Sequence, residues 1–416
     1  MSSTNPGSSR RAFLSGAGAI SAYFWIPKPV RGYTSAEMRN MAIDSKVKPG
    51  ISKWDLDTPA LCVDLDRMEK NVATMQATMK KNKIVSRPHS KTHKCAAIAK
   101  YQIATGSIGI CCAKLTEAEA MVAHGVDKIL MTTSNPSKSK IRRAMAIRKA
   151  HSAFIQAVDE EQNAHDLSDA AKEAGVVADV VIDVAVGMRS GIPAGDGAVA
   201  LAQLVDKLPN LKLRGILSYD GGGQHTKGFA SRKERALKTL APNIDTFERM
   251  KKSGLNLEIF SGGGTGTYNI MQAVPGFTDV QVGSYLFMDM QYIAIGGESD
   301  DAVYSDFAPS LTVVTTVLNN RFPGRLTTDA GSKALTLNTP HAGVIGEPGA
   351  DYNATSDEFG GITFSAPPSK PYKIGDRLEV IVPHCDPAVN EFDQMYGIRG
   401  DRVEVVWEIT GRGKSQ

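Results

Sequence analysis

Lys83-Ile84-Val85-Ser86 is a short β-branched run, and Arg87-Pro88-His89-Ser90-Lys91-Thr92-His93-Lys94 follows it directly. Behind these comes Cys95-Ala96-Ala97-Ile98-Ala99-Lys100-Tyr101, which has helical spacing. The basic cluster therefore stands at the carboxyl end of a strand in a strand-then-helix unit, the rim that carries chemistry in barrels and doubly wound sheets. Five cationic or titratable side chains in eight residues repel one another unless an anion or an electrophile joins them. Crowding of this kind is expected to lower the pKa of a lysine and make it an amine nucleophile for an aldehyde cofactor. In isolation the same composition also describes a solvated basic loop.

Working outward, strand-like runs alternate with helical patterns from Ala60 onward. Ala60 to Asp64 precedes the amphipathic Met68 to Met79, and the Lys91 strand comes next. Ile108 to Lys114, Lys128 to Thr132, Ala153 to Val158, Val180 to Val186, Leu213 to Tyr219 and Leu257 to Phe260 continue the series. This alternation predicts an α/β fold, a (β/α)8 TIM-type barrel, with a doubly wound sheet as the fallback. Near Tyr304 the texture changes. Ser310 to Leu318, Arg325 to Thr328, Leu378 to Val382 and Arg402 to Ile409 alternate apolar and polar residues between turns, which predicts an antiparallel β domain. The expected organisation is a leader over 1–33, a barrel over 55–303, and a β domain built from 34–54 and 304–416.

The leader has its own composition. Ser9-Arg10-Arg11-Ala12-Phe13-Leu14 has the twin-arginine form, and the Ala/Gly-rich run Ser15 to Trp25 is too short for a stable membrane span. A Tat-type export signal and a periplasmic location are expected, without stable membrane insertion, and with a cytoplasmic protein if the leader does not function. Arg10, Arg11, Lys28 and Arg31, with no acid among them, account for the whole formal net charge of +4. The remaining chain is balanced and shows no basic face for a nucleic-acid partner. Cys62, Cys95, Cys111, Cys112 and Cys385 have no metal-site spacing and read as small buried hydrophobes. Cys111 and Cys112, adjacent in a strand, are expected on opposite faces.

Three further motifs carry chemistry. Ser261-Gly262-Gly263-Gly264-Thr265-Gly266-Thr267 follows a strand, and consecutive glycines let backbone N–H groups close around an anion. Pro383-His384-Cys385-Asp386-Pro387, read as extended chain, puts His384 and Asp386 on one face and turns Cys385 away. A nitrogen and a carboxylate converging in this way suit a catalytic divalent metal. Leu217-Ser218-Tyr219-Asp220-Gly221 closes another strand, with Gln224 and His225 placed beyond it to reach a substrate.

The RPHSKTHK stretch resembles the pyridoxal-phosphate segment of the D-threonine aldolase and D-serine dehydratase family, whose fold is that of the alanine racemases. The resemblance runs from about Asp55 to the C-terminus and implies pyridoxal 5'-phosphate held by Lys91, not Lys94, with His89 beside it. It also implies a phosphate site at Gly263, Gly264 and Thr265 and at Gly283 and Ser284, with Gln281 facing the pyridine nitrogen. Arg189 is implied near the phenolic oxygen and Tyr219 at the ring. The family carries a metal at the His-x-Asp position. Aspartate rather than the dehydratases' cysteine at Asp386 favours an aldolase using Mn2+ or Mg2+. Phe359 stands where many relatives have histidine. The resemblance implies cleavage of D-3-hydroxy amino acids, D-threonine giving glycine and acetaldehyde. His93, His225 and a metal-bound water are the candidate bases. Alternatives are a D-serine or 3-hydroxyaspartate dehydratase, an amino-acid racemase, and a non-catalytic pyridoxal-phosphate carrier. In racemase-like folds the β domain of one subunit approaches the barrel of another, which implies a homodimer.

Overall fold

A computed structural model describes residues 32–354 and 356–416, so the twin-arginine segment lies outside the described residues. Tyr33–Gln416 forms one compact unit. Chain order gives the strands β1 Ala60–Asp64, β2 Val85–Ser86, β3 Ile110–Cys112, β4 Ile129–Met131, β5 Ile155–Val158, β6 Ala178–Asp183, β7 Leu211–Ser218, β8 Ile259–Gly262 and β9 Asp279–Val280. The strands β2 to β9 form an eight-stranded parallel sheet in the order β2-β9-β8-β7-β6-β5-β4-β3. Its two end strands meet through the parallel bridge His89–Cys111, so the sheet curls into a barrel.

Helix Leu65–Asn82 illustrates why the intervening segments are helical. Leu65, Met68, Val72, Met75 and Met79 recur every three or four residues and are all buried. Asp64 caps the start by accepting from the Arg67 N–H at 3.0 Å, and Lys83 ends the helix in the left-handed region at φ 56°. Burying each of these side chains stabilises the fold by roughly 1.5–3 kcal/mol.

Inside the barrel, Cys111, Leu130, Ile155, Ala157, Val181, Leu217 and Ile259 form an apolar cluster. Their neighbours Cys112, Met131, Val158, Ile182, Ile216 and Phe260 join the outer core under the helices. The two adjacent cysteines thus take opposite faces, as their spacing predicts, and all five cysteines are buried and free. On the side of β2, β8 and β9 the interior is polar instead. Arg87 Nε lies 3.0 Å from Asp279 Oδ1, Ser261 Oγ donates to the same oxygen at 2.6 Å, and Gln281 Nε2 donates to Ser261 Oγ at 3.0 Å.

The second sheet contains β1 together with β10 Leu311–Asn319, β11 Arg325–Thr328, β12 Gly343–Val344, β13 Ala350–Asn353, β14 Gly360–Phe364, β15 Arg377–Ile381, β16 Gln394–Arg399 and β17 Arg402–Glu408. Its order is β13-β14-β11-β10-β1-β16-β17, with β15 paired to β10 and β12. All its pairings are antiparallel except β1 with β16. The bridges Lys46–Val405 and Ser52–Arg402 bring the segment before β1 onto the same sheet.

One assignment changes. Ala60–Asp64, expected as the first barrel strand, belongs to the second sheet, and the barrel is completed by the short β9. A continuous apolar run is compatible with either sheet, because both of its faces are buried. Leu61 and Val63 face the main core, whereas Ala60 and Cys62 pack with Met38, Val314 and Tyr396. Among the described residues no helix is long and apolar enough to cross a membrane.

Candidate active site

The Lys91 segment leaves β2 as extended chain locked between neighbours. Arg87 N donates to Val280 O at 2.9 Å, His89 N to Val282 O at 2.8 Å, and Cys111 N to Pro88 O at 2.7 Å. Ser90–Thr92 then forms a single 3-10 turn, with His89 as its N-cap. Buried Ser90 fixes the turn from below, its hydroxyl 2.5 Å from Glu117 Oε1 and 2.9 Å from the Cys111 carbonyl. The chain leaves through Lys94 at φ 46°, whose carbonyl accepts from Gly411 N at 2.8 Å and whose ammonium donates to Asn390 Oδ1 at 3.0 Å.

The cations of this stretch are separated, not crowded. Arg87 pairs with Asp279 inside the barrel. Burial, then the nearby Lys91 charge, pushes the His89 pKa down to about 3, and burial pushes His93 down to about 4, so both rings are neutral. Lys91 Nζ meets the Asp386 carboxylate in a short ion pair. That carboxylate raises the Lys91 pKa against the opposing effect of burial. The expectation of a lowered lysine pKa is therefore corrected: the deciding charge comes from a carboxylate 295 positions away.

Two glycine-containing turns adjoin this lysine. Gly263 has φ 59°, and the backbone N–H groups of Gly263, Thr265, Gly283 and Ser284 have no protein acceptor among the described residues. A Cβ on Gly264 would lie 2.8 Å from Gln224 Oε1, and one on Gly283 would overlap Thr92 Oγ1. Thr265 Oγ1 accepts from Tyr285 N at 2.9 Å and ties the two turns together. Free amides on two linked turns beside an amine fit a phosphate-bearing aldehyde. Gln224, read from sequence as a substrate contact, is instead buried as a support of the glycine loop, its Oε1 accepting from Gly266 N at 3.1 Å. His225 is exposed and packs against Tyr292, the rings tilted by 45° with centroids 4.5 Å apart.

Arg189 lies on an exposed loop with its guanidinium carbon 5.6 Å from the Tyr219 ring centroid. Burial raises the Tyr219 hydroxyl pKa, while the charges of Lys91 and Arg189 act against that rise. His89, Lys91, Arg189, Tyr219 and Gln281 thus all follow the carboxyl ends of barrel strands, His89 and Lys91 from one stretch of chain and the other three from separate ones.

The His384 segment departs from the extended geometry expected of it. His384 is extended at φ −145°, but it caps the short helix Cys385–Asn390, so Asp386 stands in a helical first turn. The two side chains still converge electrostatically. Burial works against the ionised carboxyl of Asp386, but Lys91 and then His384 pull it well below the usual carboxylate range. For His384 burial favours the neutral ring, yet the hydrogen bond to Asp289 and the charges of Asp386 and Asp289 raise its pKa overall. His384 Nδ1 is 2.8 Å from Asp289 Oδ2, which leaves Nε2 for another partner.

The donor atoms of Asp289, His384 and Cys385 lie within 4.8 Å of one another. Burial holds the Cys385 thiol well above its ordinary pKa, and Asp289 is occupied by N–H donors. The imidazole Nε2 and the Asp386 carboxylate therefore remain as a nitrogen and oxygen set that fits a divalent ion. Sequence reasoning missed Asp289, whose only local signal is the N-cap pattern Asp-x-x-Tyr292. Phe359 is 50% exposed. Lys91, His384 and Asp386 meet within one chain, so the site does not need a partner's β domain to bring these three together.

Residues 63–291 match the alanine racemase N-terminal domain, and residues 310–398 match a putative serine dehydratase domain. The chain is 32% identical over 374 residues to 3-hydroxy-D-aspartate aldolase of Paracoccus denitrificans (strain Pd 1222), covering 89% of this chain and 96% of that protein. It is 34% identical over 381 residues to D-threonine aldolase of Arthrobacter sp, covering 91% and 99%. The crystal structure of D-threonine aldolase from Filomicrobium marinum superposes with a TM-score of 0.84 at 32% identity, covering 89% of this chain and 100% of that one. Barrel, lysine and glycine turns together define a pyridoxal-phosphate enzyme of alanine racemase fold. Within that fold the chain belongs to the family of D-threonine aldolase and 3-hydroxy-D-aspartate aldolase. It is an aldolase, a carbon–carbon lyase.

Proposed function

We propose that this enzyme cleaves D-3-hydroxy amino acids by a metal-assisted retro-aldol reaction, with D-threonine giving glycine and acetaldehyde. The observation that carries this reading is the Lys91–Asp386 pair with His384 beside it, which joins a cofactor lysine to a nitrogen and oxygen ligand set in one chain. Pyridoxal phosphate, when bound, supplies an electron sink for the bond broken at Cα. A divalent ion, Mn2+ or Mg2+, when bound by His384 and Asp386, lowers the pKa of the substrate's β-hydroxyl.

The chain's own residues divide the remaining work. Lys91 supplies the amine, and its pairing with Asp386 keeps that amine aimed at the mouth of the barrel. The pair holds both groups in place, and the Asp386 oxygen now facing the Lys91 ammonium is the one that would face a bound divalent ion. The amides of Gly263, Thr265, Gly283 and Ser284 orient the phosphate. Gln281, held by Ser261, presents a neutral amide and no carboxylate to the ring, so strong delocalisation into it is not enforced. Neutral His89 and partly buried Tyr219 shield the ring from water. His225, exposed beside Tyr292, is the better placed of the two histidines among the candidate bases, because His93 is only 1% exposed.

The twin-arginine leader supports export to the periplasm, to be checked by fractionating cells that express the full chain. A homodimer is part of the same reading, to be checked by light scattering. The function itself is tested by giving D-threonine, D-threo-3-hydroxyaspartate and D-serine to purified enzyme with and without chelator. Glycine with the matching aldehyde, lost on chelation and restored by Mn2+ or Mg2+, is the expected result. Ammonia with a 2-oxo acid would mean a dehydratase.

A further inference from the structure

Asp289 follows β9 in the barrel half of the chain and is wholly buried, yet no cation is needed to explain it. Its Oδ1 accepts from Tyr292 N at 2.9 Å. Its Oδ2 accepts from Cys385 N at 3.0 Å and lies 2.8 Å from His384 Nδ1. Three N–H groups satisfy a carboxylate that water cannot reach. A carboxylate only accepts, so Nδ1 must carry a proton, and in the neutral imidazole the lone pair then lies on Nε2. The Cys385 amide bonded to the same oxygen begins the helix whose first turn holds Asp386.

We propose that Asp289 is the positioning residue of the metal site: it fixes the tautomer and rotation of His384 and, through the Cys385 amide, the start of the helix that presents Asp386. It is not itself a ligand, since both its oxygens are committed to N–H donors. One carboxylate from the barrel thus aligns two ligands of the β domain. This role rests on the reading above, in which His384 and Asp386 hold a divalent ion, and it accounts for how two residues on a short helix are held stiffly enough to form a site. Carboxylates behind metal-binding histidines act in this way, and their loss weakens metal binding by about 10–100-fold.

Full-length, cofactor-loaded protein is labelled with 15N-histidine and compared with Asp289→Asn and Asp289→Glu. Long-range 1H–15N spectra of metal-free samples, with His384→Gln used for assignment, read the His384 tautomer. Titration with Mn2+, followed by the EPR signal of free ion, reads affinity. The expected result is an Nδ1–H tautomer in the wild type, and in Asp289→Asn a proton on Nε2 with Mn2+ affinity lower by about 10–100-fold. Asp289→Glu keeps the acceptor, so it should retain the wild-type tautomer and recover part of the affinity. A purely structural residue would change thermal stability while leaving tautomer and affinity alone, and that outcome overturns the proposal. If the wild type binds no Mn2+, the metal reading fails, and the tautomer comparison alone decides the role of Asp289.

Discussion

The two short turns that make the site are held in opposite ways. The turn carrying Lys91 is fixed by its own barrel neighbourhood: Val282 and Cys111 bond its backbone on either side, and Glu117 holds Ser90 beneath it. The turn carrying His384 and Asp386 is tied by side chains from distant stretches: Asp289, 95 positions from His384, holds its start, Lys91 pairs with Asp386, and Lys94 donates to Asn390. The difference teaches that the lysine half and the histidine half of one proposed site can differ in the length of chain that specifies them. The Lys91 half is set by adjacent strands of one sheet. The His384 half is set by a contact between two sheets.

The comparison is tested most severely at its two functional side chains. Lys91→Ala should lose at least about 10^3-fold in kcat, as removal of a covalent nucleophile does elsewhere. The visible absorbance of bound cofactor should disappear with it, and Tm should fall as well, because the largely buried Asp386 carboxylate loses its paired cation. His384→Gln should keep that absorbance and lose about 10^2–10^3-fold in activity, the several kcal/mol that a Lewis acid supplies. If the two variants lose cofactor together, the halves are not independent. Ser90→Ala strips the buried Glu117 carboxyl of its closest partner and should cost about 1–3 kcal/mol, read as a fall in Tm.

The smallest effect is a shift along the pH axis. Asp386 raises the Lys91 pKa, so Asp386→Asn should lower it and let metal-free apoprotein take up pyridoxal phosphate efficiently at lower pH. In the wild type, Lys91 with its raised folded pKa stabilises the fold below the ordinary lysine range and loses that contribution as pH rises through the folded value. Asp386, with its depressed pKa, contributes above the ordinary carboxylate range and loses that contribution as pH falls. An uptake profile that does not move in Asp386→Asn would show that the pair does not control the lysine.

Much of this was legible in the chain itself. Strand and helix alternation announced the barrel, and the glycine run after β8 announced a turn whose Gly263 and Thr265 N–H groups have no acceptor among the described residues, because both signals lie within a few adjacent residues. The second sheet was legible in its alternating strands, but the membership of Ala60–Asp64 was not. A fully buried strand shows the same apolar run whichever sheet it joins, and only its partners β10 and β16 decide. The charge state of Lys91 and the role of Asp289 were hidden for a related reason. Each depends on a partner tens to hundreds of positions away, and no local spacing encodes that meeting. The three residues also meet in one chain, where the family resemblance had implied a meeting between subunits.

That intrachain meeting is the central claim, and mixing inactive variants tests it directly. Lys91→Ala and His384→Gln chains are unfolded together, refolded as a mixture with pyridoxal phosphate and Mn2+, and assayed for glycine formed from D-threonine. A site built within one chain predicts no activity beyond that of the two parents, because every chain lacks one half. Recovered activity, approaching the fraction of mixed assemblies, would place Lys91 and His384 of each working site on different subunits and contradict the account.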